Sequence, residues 1–323
     1  MDALLDVQDL VVEYSAGGRT VHAVSDVSLQ IARGETLGLV GESGCGKSTL
    51  GRAVLQLRPP QSGRVTFGGV ELTGLGSAAL RKMRRRIQLI FQDPIASLNP
   101  RRRIGDIVAE PLVIAGVGNK RERERRVRDM LGAVGLDADL AIGRLPHEFS
   151  GGQCQRVCIA RALVLEPELV ICDEPVSALD VSVRAQILNL LEEMKRRHAL
   201  TLLFIAHDLA VVKAVSDRVA VMYLGRLCEI GPTERLYATP AHPYTRLLLD
   251  AIPVPDPNVR PAENVPFGEP PSPIDPPSGC RFRTRCPRAD QRCAEETPRL
   301  REVAPGQSVA CHHDLIASGA ARP

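Results

Sequence analysis

The chain carries Gly41-Glu-Ser-Gly-Cys-Gly-Lys-Ser-Thr49 between a short apolar run, Thr36–Val40, and a helical pattern starting near Lys47. The spacing Gly-x4-Gly-Lys-Ser is that of a phosphate-binding loop (Walker A). Its glycines let backbone N–H groups turn toward phosphate oxygens, and the helix that follows adds a favourable dipole. Gly41, Glu42, Ser43, Gly44, Cys45, Gly46, Lys47, Ser48 and Thr49 are therefore the expected nucleotide contacts. Lys47 is expected to reach the β- and γ-phosphates, and the Ser48 hydroxyl to ligate Mg²⁺. Further on, Phe149-Ser-Gly-Gly-Gln153 opens a second helix and offers a second phosphate-binding surface through Ser150, Gly151, Gly152 and Gln153. One nucleotide cannot easily use both surfaces of a compact domain. The pair points to ATP sandwiched between two subunits.

Bulk properties bound the answer. The 323 residues suffice for one large domain, or one domain plus an appendage. Hydrophobic content of 44% supports a sizeable core, and a net charge of +3 is too small to imply nucleic-acid binding. The first ten residues, MDALLDVQDL, are acidic and do not read as a secretory signal. With no apolar run of about 18 residues, the expectation is a protein on the cytoplasmic side that docks on membrane partners without crossing. The basic runs Arg81–Arg86 and Lys120–Arg128 read as solvated helix faces, the second because Glu122 and Glu124 interleave it.

Strand-end acids follow. Leu169-Val-Ile-Cys-Asp173-Glu174 closes an apolar strand with two carboxylates, where an α/β sheet binds its ligand. Asp173 is expected to hold Mg²⁺ and Glu174 to act as general base toward water. Gln92 in Ile90-Phe-Gln-Asp-Pro94 is a second candidate for Mg²⁺ and the attacking water. His207, past the apolar run Leu202–Ile205, is a candidate for the γ-phosphate.

This set, in this order and at these intervals, resembles the ABC transporter ATPase family over roughly residues 4–250. The resemblance implies an α/β P-loop NTPase fold, an ABC nucleotide-binding domain with an inserted helical subdomain at about 92–149. It makes Ser177-Ala-Leu-Asp180 a D-loop and places Tyr14 where the family stacks an aromatic on adenine. Phe149 stands where Leu is commoner. Two such subunits pack head to tail, each ATP enclosed by the loop of one and Ser150–Gln153 of the other.

The tail narrows the resemblance. Thr239-Pro-Ala-His-Pro-Tyr-Thr-Arg-Leu-Leu-Leu249 and Gly268-Glu-Pro-Pro-Ser-Pro-Ile-Asp-Pro-Pro-Ser-Gly-Cys280 resemble the oligopeptide/dipeptide importer ATPases, and their F-type subunit more than their D-type. That implies a second homologous ATPase subunit, two transmembrane permeases and an extracytoplasmic peptide-binding protein. Location would be peripheral, at the cytoplasmic face of the cell membrane. Residues 93–104 lie where the family grips its permeases. The alternatives are a nickel or other small-solute importer ATPase, or a soluble non-transport ABC ATPase acting on ribosomes or DNA. The latter usually has two cassettes or long coiled-coil inserts, which this chain lacks.

Of nine cysteines, Cys45, Cys154, Cys158, Cys172 and Cys228 read as small buried hydrophobes. The domain reading is 1–250 for the ATPase, 251–279 for a Pro-rich linker and 280–323 for a small Cys-rich C-terminal segment. Pro253–Pro277 holds ten of 25 prolines and reads as a stiff connector. Cys280, Cys286, Cys293 and Cys311 follow at C-x5-C-x6-C-x17-C, a set open to a cluster, zinc or no metal, with His312 and His313 as lesser candidates that read first as surface histidines. The family resemblance implies a [4Fe–4S] cluster there, with zinc as the alternative.

Overall fold

The computed structural model describes residues 3–252 and 269–316. The chain divides into two compact units, Met1–Thr73 with Ala206–Pro323, and Gly74–Ile205.

The first unit opens with β1 (Ala3–Ala16) and β2 (Arg19–Ala32), a long antiparallel pair turning at Gly17 and Gly18. β3 (Thr36–Val40), α1 (Lys47–Val54), β4 (Ser62–Phe67) and β5 (Val70–Glu71) follow. One sheet has the antiparallel order β2-β1-β4-β5. Leu5, Val7, Val24, Val27, Val65 and Phe67 bury its inner face. β3 is buried at all five positions, because its short unbroken apolar run suits a strand covered on both faces.

The second unit contains α2 (Ser77–Arg84), β6 (Ile87–Ile90), α3 (Ile104–Ala115), α4 (Lys120–Ala133), α5 (Ala138–Ala141), α6 (Gly151–Leu163), β7 (Leu169–Asp173), α7 (Val181–His198) and β8 (Thr201–Ile205). β6, β7 and β8 are parallel neighbours, with α7 as the crossover between the last two. Ile187, Leu190, Leu191 and Met194 form the buried stripe of α7, as their spacing predicts. Ile107, Val108 and Leu112 of α3 are buried, as are Val127, Met130 and Leu131 of α4. The two basic runs fall on α2, which buries nothing, and on the exposed part of α4. α6 ends at Leu163 and buries Cys154, Val157, Cys158 and Ala162.

The chain then returns to the first unit with α8 (Leu209–Val215), β9 (Arg218–Tyr223), β10 (Arg226–Pro232), α9 (Thr233–Ala238), α10 (Pro243–Asp250), α11 (Gln291–Glu295), β11 (Arg301–Ala304) and β12 (Gln307–Val309). β9 runs parallel to β3, β10 folds back on β9, and β12 pairs antiparallel with β10 through Glu229 and Ile230. The C-terminal segment thus extends this unit's sheet. Glu229 of β10 is fully buried. It accepts from the Ala241 and His242 N–H groups, each at 2.8 Å, and from Gln307 Nε2 of β12 at 2.7 Å. Phe282, 1% exposed, packs edge-on against Tyr223 with ring centres 5.3 Å apart. Truncating a buried Phe costs about 3–5 kcal/mol, so this wedge anchors the tail. Residues 253–268 of the Pro-rich stretch lie outside the described residues. Beyond them the Pro273 carbonyl accepts from His22 N–H on β2 at 2.9 Å.

Candidate functional site

In the first unit, β3 ends where the glycine-rich loop begins, and α1 starts at Lys47. Gly46 sits at φ 105°, and a Cβ there would lie 2.0 Å from the Ala23 carbonyl, so only glycine fits. Lys47 Nζ donates to the carbonyls of Gly41 at 2.7 Å and Glu42 at 3.0 Å, curling the loop round its ammonium. Lys47 is 5% exposed. Phosphate oxygens are the natural replacement for these two carbonyl acceptors. Cys45 is buried, and burial raises its thiol pKa, so it packs rather than reacts.

Tyr14 lies on β1, and its hydroxyl donates to Thr49 Oγ1 at 3.2 Å. The Arg58 guanidinium lies 4.4 Å from the Tyr14 ring centre, so a base could stack only on the opposite ring face. His207 is exposed. It stands between Ala206, whose N–H donates to the Leu39 carbonyl at 3.1 Å, and Asp208, which caps α8. His207 therefore directly follows a residue that is hydrogen-bonded to β3 within the same unit.

In the second unit, β7 delivers Asp173 and Glu174. Asp173 is 2% exposed at the end of a wholly buried strand. Glu174 adopts φ 47°, rare for a residue with a side chain, and its N–H donates to the Ile205 carbonyl at 2.9 Å. Such strain concentrates where geometry is functional. Gln92 Nε2 donates to Glu174 Oε2 at 3.1 Å, which leaves the amide oxygen as the atom Gln92 offers a cation.

Ser150 caps α6. Its Oγ accepts from Gln153 N–H at 3.3 Å, and Gln153 Oε1 accepts from Ser150 N–H at 2.9 Å, a reciprocal capping box. The first N–H groups of a helix have no partner within it, so Gly151 and Gly152 aim donors off the exposed end. A Cβ on Gly152 would lie 2.5 Å from Val183 Cγ1, so α7 holds this helix start close. Asp180 precedes α7 without capping it through its side chain and is exposed, as is Val181 at 80%.

The tail cysteines correct one expectation. A cluster needs four converging thiolates. Among the described residues, the group whose possible ligand atoms all lie within 4.8 Å of one another is Asp290, Cys293 and His313. It contains one cysteine, and Cys280, Cys286 and Cys311 do not join it. Asp290 is already engaged, capping α11 at Cys293 N–H and lying 2.8 Å from His313 Nε2. Burial raises the thiol pKa of Cys280, Cys286 and Cys293, and that of Cys311 to about 12, and neighbouring tail cysteines push Cys280, Cys286 and Cys311 further in the same direction. The expected [4Fe–4S] cluster thus finds no support among the described residues, where the group close enough to share one ion holds a single cysteine rather than a zinc knuckle's pair. The other five cysteines are buried, as their scatter through regular elements implies.

Sequence reasoning missed one contact at the loop. Arg285, from the tail, forms a two-bond ion pair with Glu42. No local pattern joins two residues so far apart in the chain.

Fold and loop together define an ATP-binding cassette of the P-loop class. Residues 24–177 match the family described as "ABC transporter", and residues 228–293 match "Oligopeptide/dipeptide transporter, C-terminal region". The oligopeptide transport ATP-binding protein OppF of Escherichia coli is 52% identical over 320 residues, covering 95% of each chain. OppF of Salmonella typhimurium is 52% identical over 309 residues, covering 92% of each. Among solved structures, the ATP-binding cassette MJ0796, a dimer in a post-hydrolysis state bound to ADP and Pi, matches with TM-score 0.65 and 28% identity, over 71% of this chain and 98% of that one. The chain belongs to the ABC transporter family, in its oligopeptide/dipeptide transport branch.

Proposed function

We propose that this chain is the ATP-binding and hydrolysing motor subunit of a membrane peptide importer. The observation that carries the reading is the pair of phosphate-binding helix starts in one chain, Lys47 behind its glycine loop and Ser150 behind its capping box. The near-full-length likeness to oligopeptide transport ATP-binding proteins supports peptide as the cargo class.

The residues divide the chemistry. Gly41–Thr49 cradle the phosphates, with Lys47 turning from the loop carbonyls to the β- and γ-oxygens. Tyr14 stacks on adenine. Ser48, Asp173 and the Gln92 amide are hard oxygen donors suited to Mg²⁺, which when bound neutralises phosphate charge. Glu174, held by Gln92, takes a proton from the water that attacks the γ-phosphorus as the bond to ADP breaks. His207 donates to the γ-phosphate and so reports its presence. Ser150, Gly151, Gly152 and Gln153 serve the nucleotide of a second, homologous ATPase subunit, and Asp180 lies at that junction. Closure of the pair around ATP moves two permeases fed by an extracytoplasmic peptide-binding protein. No described helix is long and apolar enough to cross a membrane, in keeping with a peripheral subunit on the cytoplasmic side.

Purification from membranes with an affinity tag on this chain tests the assignment. Recovery with two polytopic permeases and a second ATPase is the expected outcome. Recovery with ribosomes or nucleic acid instead would overturn it.

A further inference from the structure

The C-terminal segment grips the phosphate-binding loop. Arg285 Nη1 lies 2.8 Å from Glu42 Oε2, and Nη2 lies 3.0 Å from Oε1. The Arg285 side chain is 5% exposed and that of Glu42 25%. The guanidinium also donates to Tyr223 Oη at 3.4 Å and lies 5.7 Å from that ring's centre. Residue 42 has two further anchors. Its N–H donates to Tyr244 Oη at 3.0 Å, and its carbonyl accepts from Lys47. A second tail arginine braces the same loop indirectly. Arg281 donates to the Leu224 carbonyl and to Ser25 Oγ, while the next residue, Gly225, donates its N–H to the Cys45 carbonyl at 2.8 Å.

A carboxylate within a phosphate-binding loop is a liability, because it repels the polyanion the loop must hold. Bidentate pairing cancels that charge and fixes the direction of the side chain. Only a guanidinium supplies the matching fork, since an ammonium is a point charge.

We propose that Arg285 is a positioning residue for the nucleotide site: it neutralises and orients Glu42 so that the loop accepts phosphate. It acts through Glu42 and not on the nucleotide. The inference rests on the reading of Gly41–Thr49 as the ATP site. It gives the tail a part in nucleotide affinity.

The test is the Kd of the full-length chain for a fluorescent ATP analogue with Mg²⁺, measured at low and high salt. Arg285→Ala should weaken binding about tenfold, the order expected for one uncompensated charge at a partly exposed site. The loss should shrink at high salt, where the exposed charge is screened. Arg285→Lys should fall between the two, and folds even if the alanine variant does not. Adding Glu42→Gln to Arg285→Ala should recover most of the loss, because the unpaired carboxylate is gone. A merely structural anchor would leave the double variant no better than the single one. That result, or unchanged affinity in both Arg285 variants, overturns the proposal. Failure of the unaltered chain to bind the analogue would overturn the ATP reading itself.

Discussion

Gln92 Nε2 donates to Glu174 Oε2 at 3.1 Å, joining the loop after β6 to the residue after β7. The bond aims a carboxylate that already sits on strained backbone at φ 47°. A side chain held from both ends suits a general base, which must meet one water in one orientation.

Replacing Glu174 by Gln keeps the amide contact and removes the base. The expected result is ATP affinity within about threefold of the unaltered chain and kcat lower by about 10²–10⁴. Binding and steady-state phosphate release on the same preparation check it. Near-normal turnover would remove Glu174 from the role of base.

Lys47→Ala removes the ammonium that the loop carbonyls now hold at 2.7 and 3.0 Å. Affinity for the fluorescent analogue should fall by about 100-fold, roughly 3 kcal/mol. A loss under threefold would mean that the backbone amides alone hold the phosphates.

Ser150→Ala deletes the Oγ that caps α6 at Gln153 N–H. The cap is worth about 1 kcal/mol of stability. If Ser150 serves the partner's nucleotide, affinity at this chain's own loop stays within about twofold. ATP turnover of the assembled complex should drop more than about tenfold. Equal losses in both measurements would place Ser150 at its own chain's nucleotide.

His242 gives a pH dependence to the stability of the first unit. Burial lowers its pKa to about 3, and its Nδ1 accepts from Tyr244 N–H at 2.9 Å. The folded state therefore binds fewer protons than the unfolded chain. Its contribution is fully present above the ordinary histidine pKa of about 6.5 and is lost as pH falls toward about 3. The slope from this one group approaches about 1.4 kcal/mol per pH unit within that window. Denaturant midpoints at pH 7, 6 and 5 measure it. His242→Asn, which can still accept from Tyr244, should flatten the trend. An identical trend in that variant would assign the slope to other groups.

The parts of the fold legible in the sequence are those written in local patterns. The glycine loop, the capping box at Ser150 and the unbroken apolar runs of β3, β7 and β8 each specify their own structure over a few residues. The α7 stripe is of the same kind. The pairing of β12 with β10 is not, because Gln307–Val309 is three residues long and carries no alternation that marks a strand. Its place is set by Gln307 reaching the buried Glu229 far away in the chain. The Arg285–Glu42 pair escaped for the same reason, as Glu42 occupies a variable position of the loop motif. The cysteine spacing pointed to a cluster, whereas among the described residues the donor group close enough to share one ion mixes residue types that the spacing does not connect. Cys293 instead meets Asp290 and His313.

The measurement that reaches the central claim most directly is ATP hydrolysis by the complete complex in proteoliposomes, with and without peptide on the external binding protein. The account predicts turnover that rises several-fold with peptide-loaded receptor, accompanies peptide uptake, and vanishes with Glu174→Gln. Hydrolysis indifferent to peptide, or uptake that continues with Glu174→Gln, would contradict it.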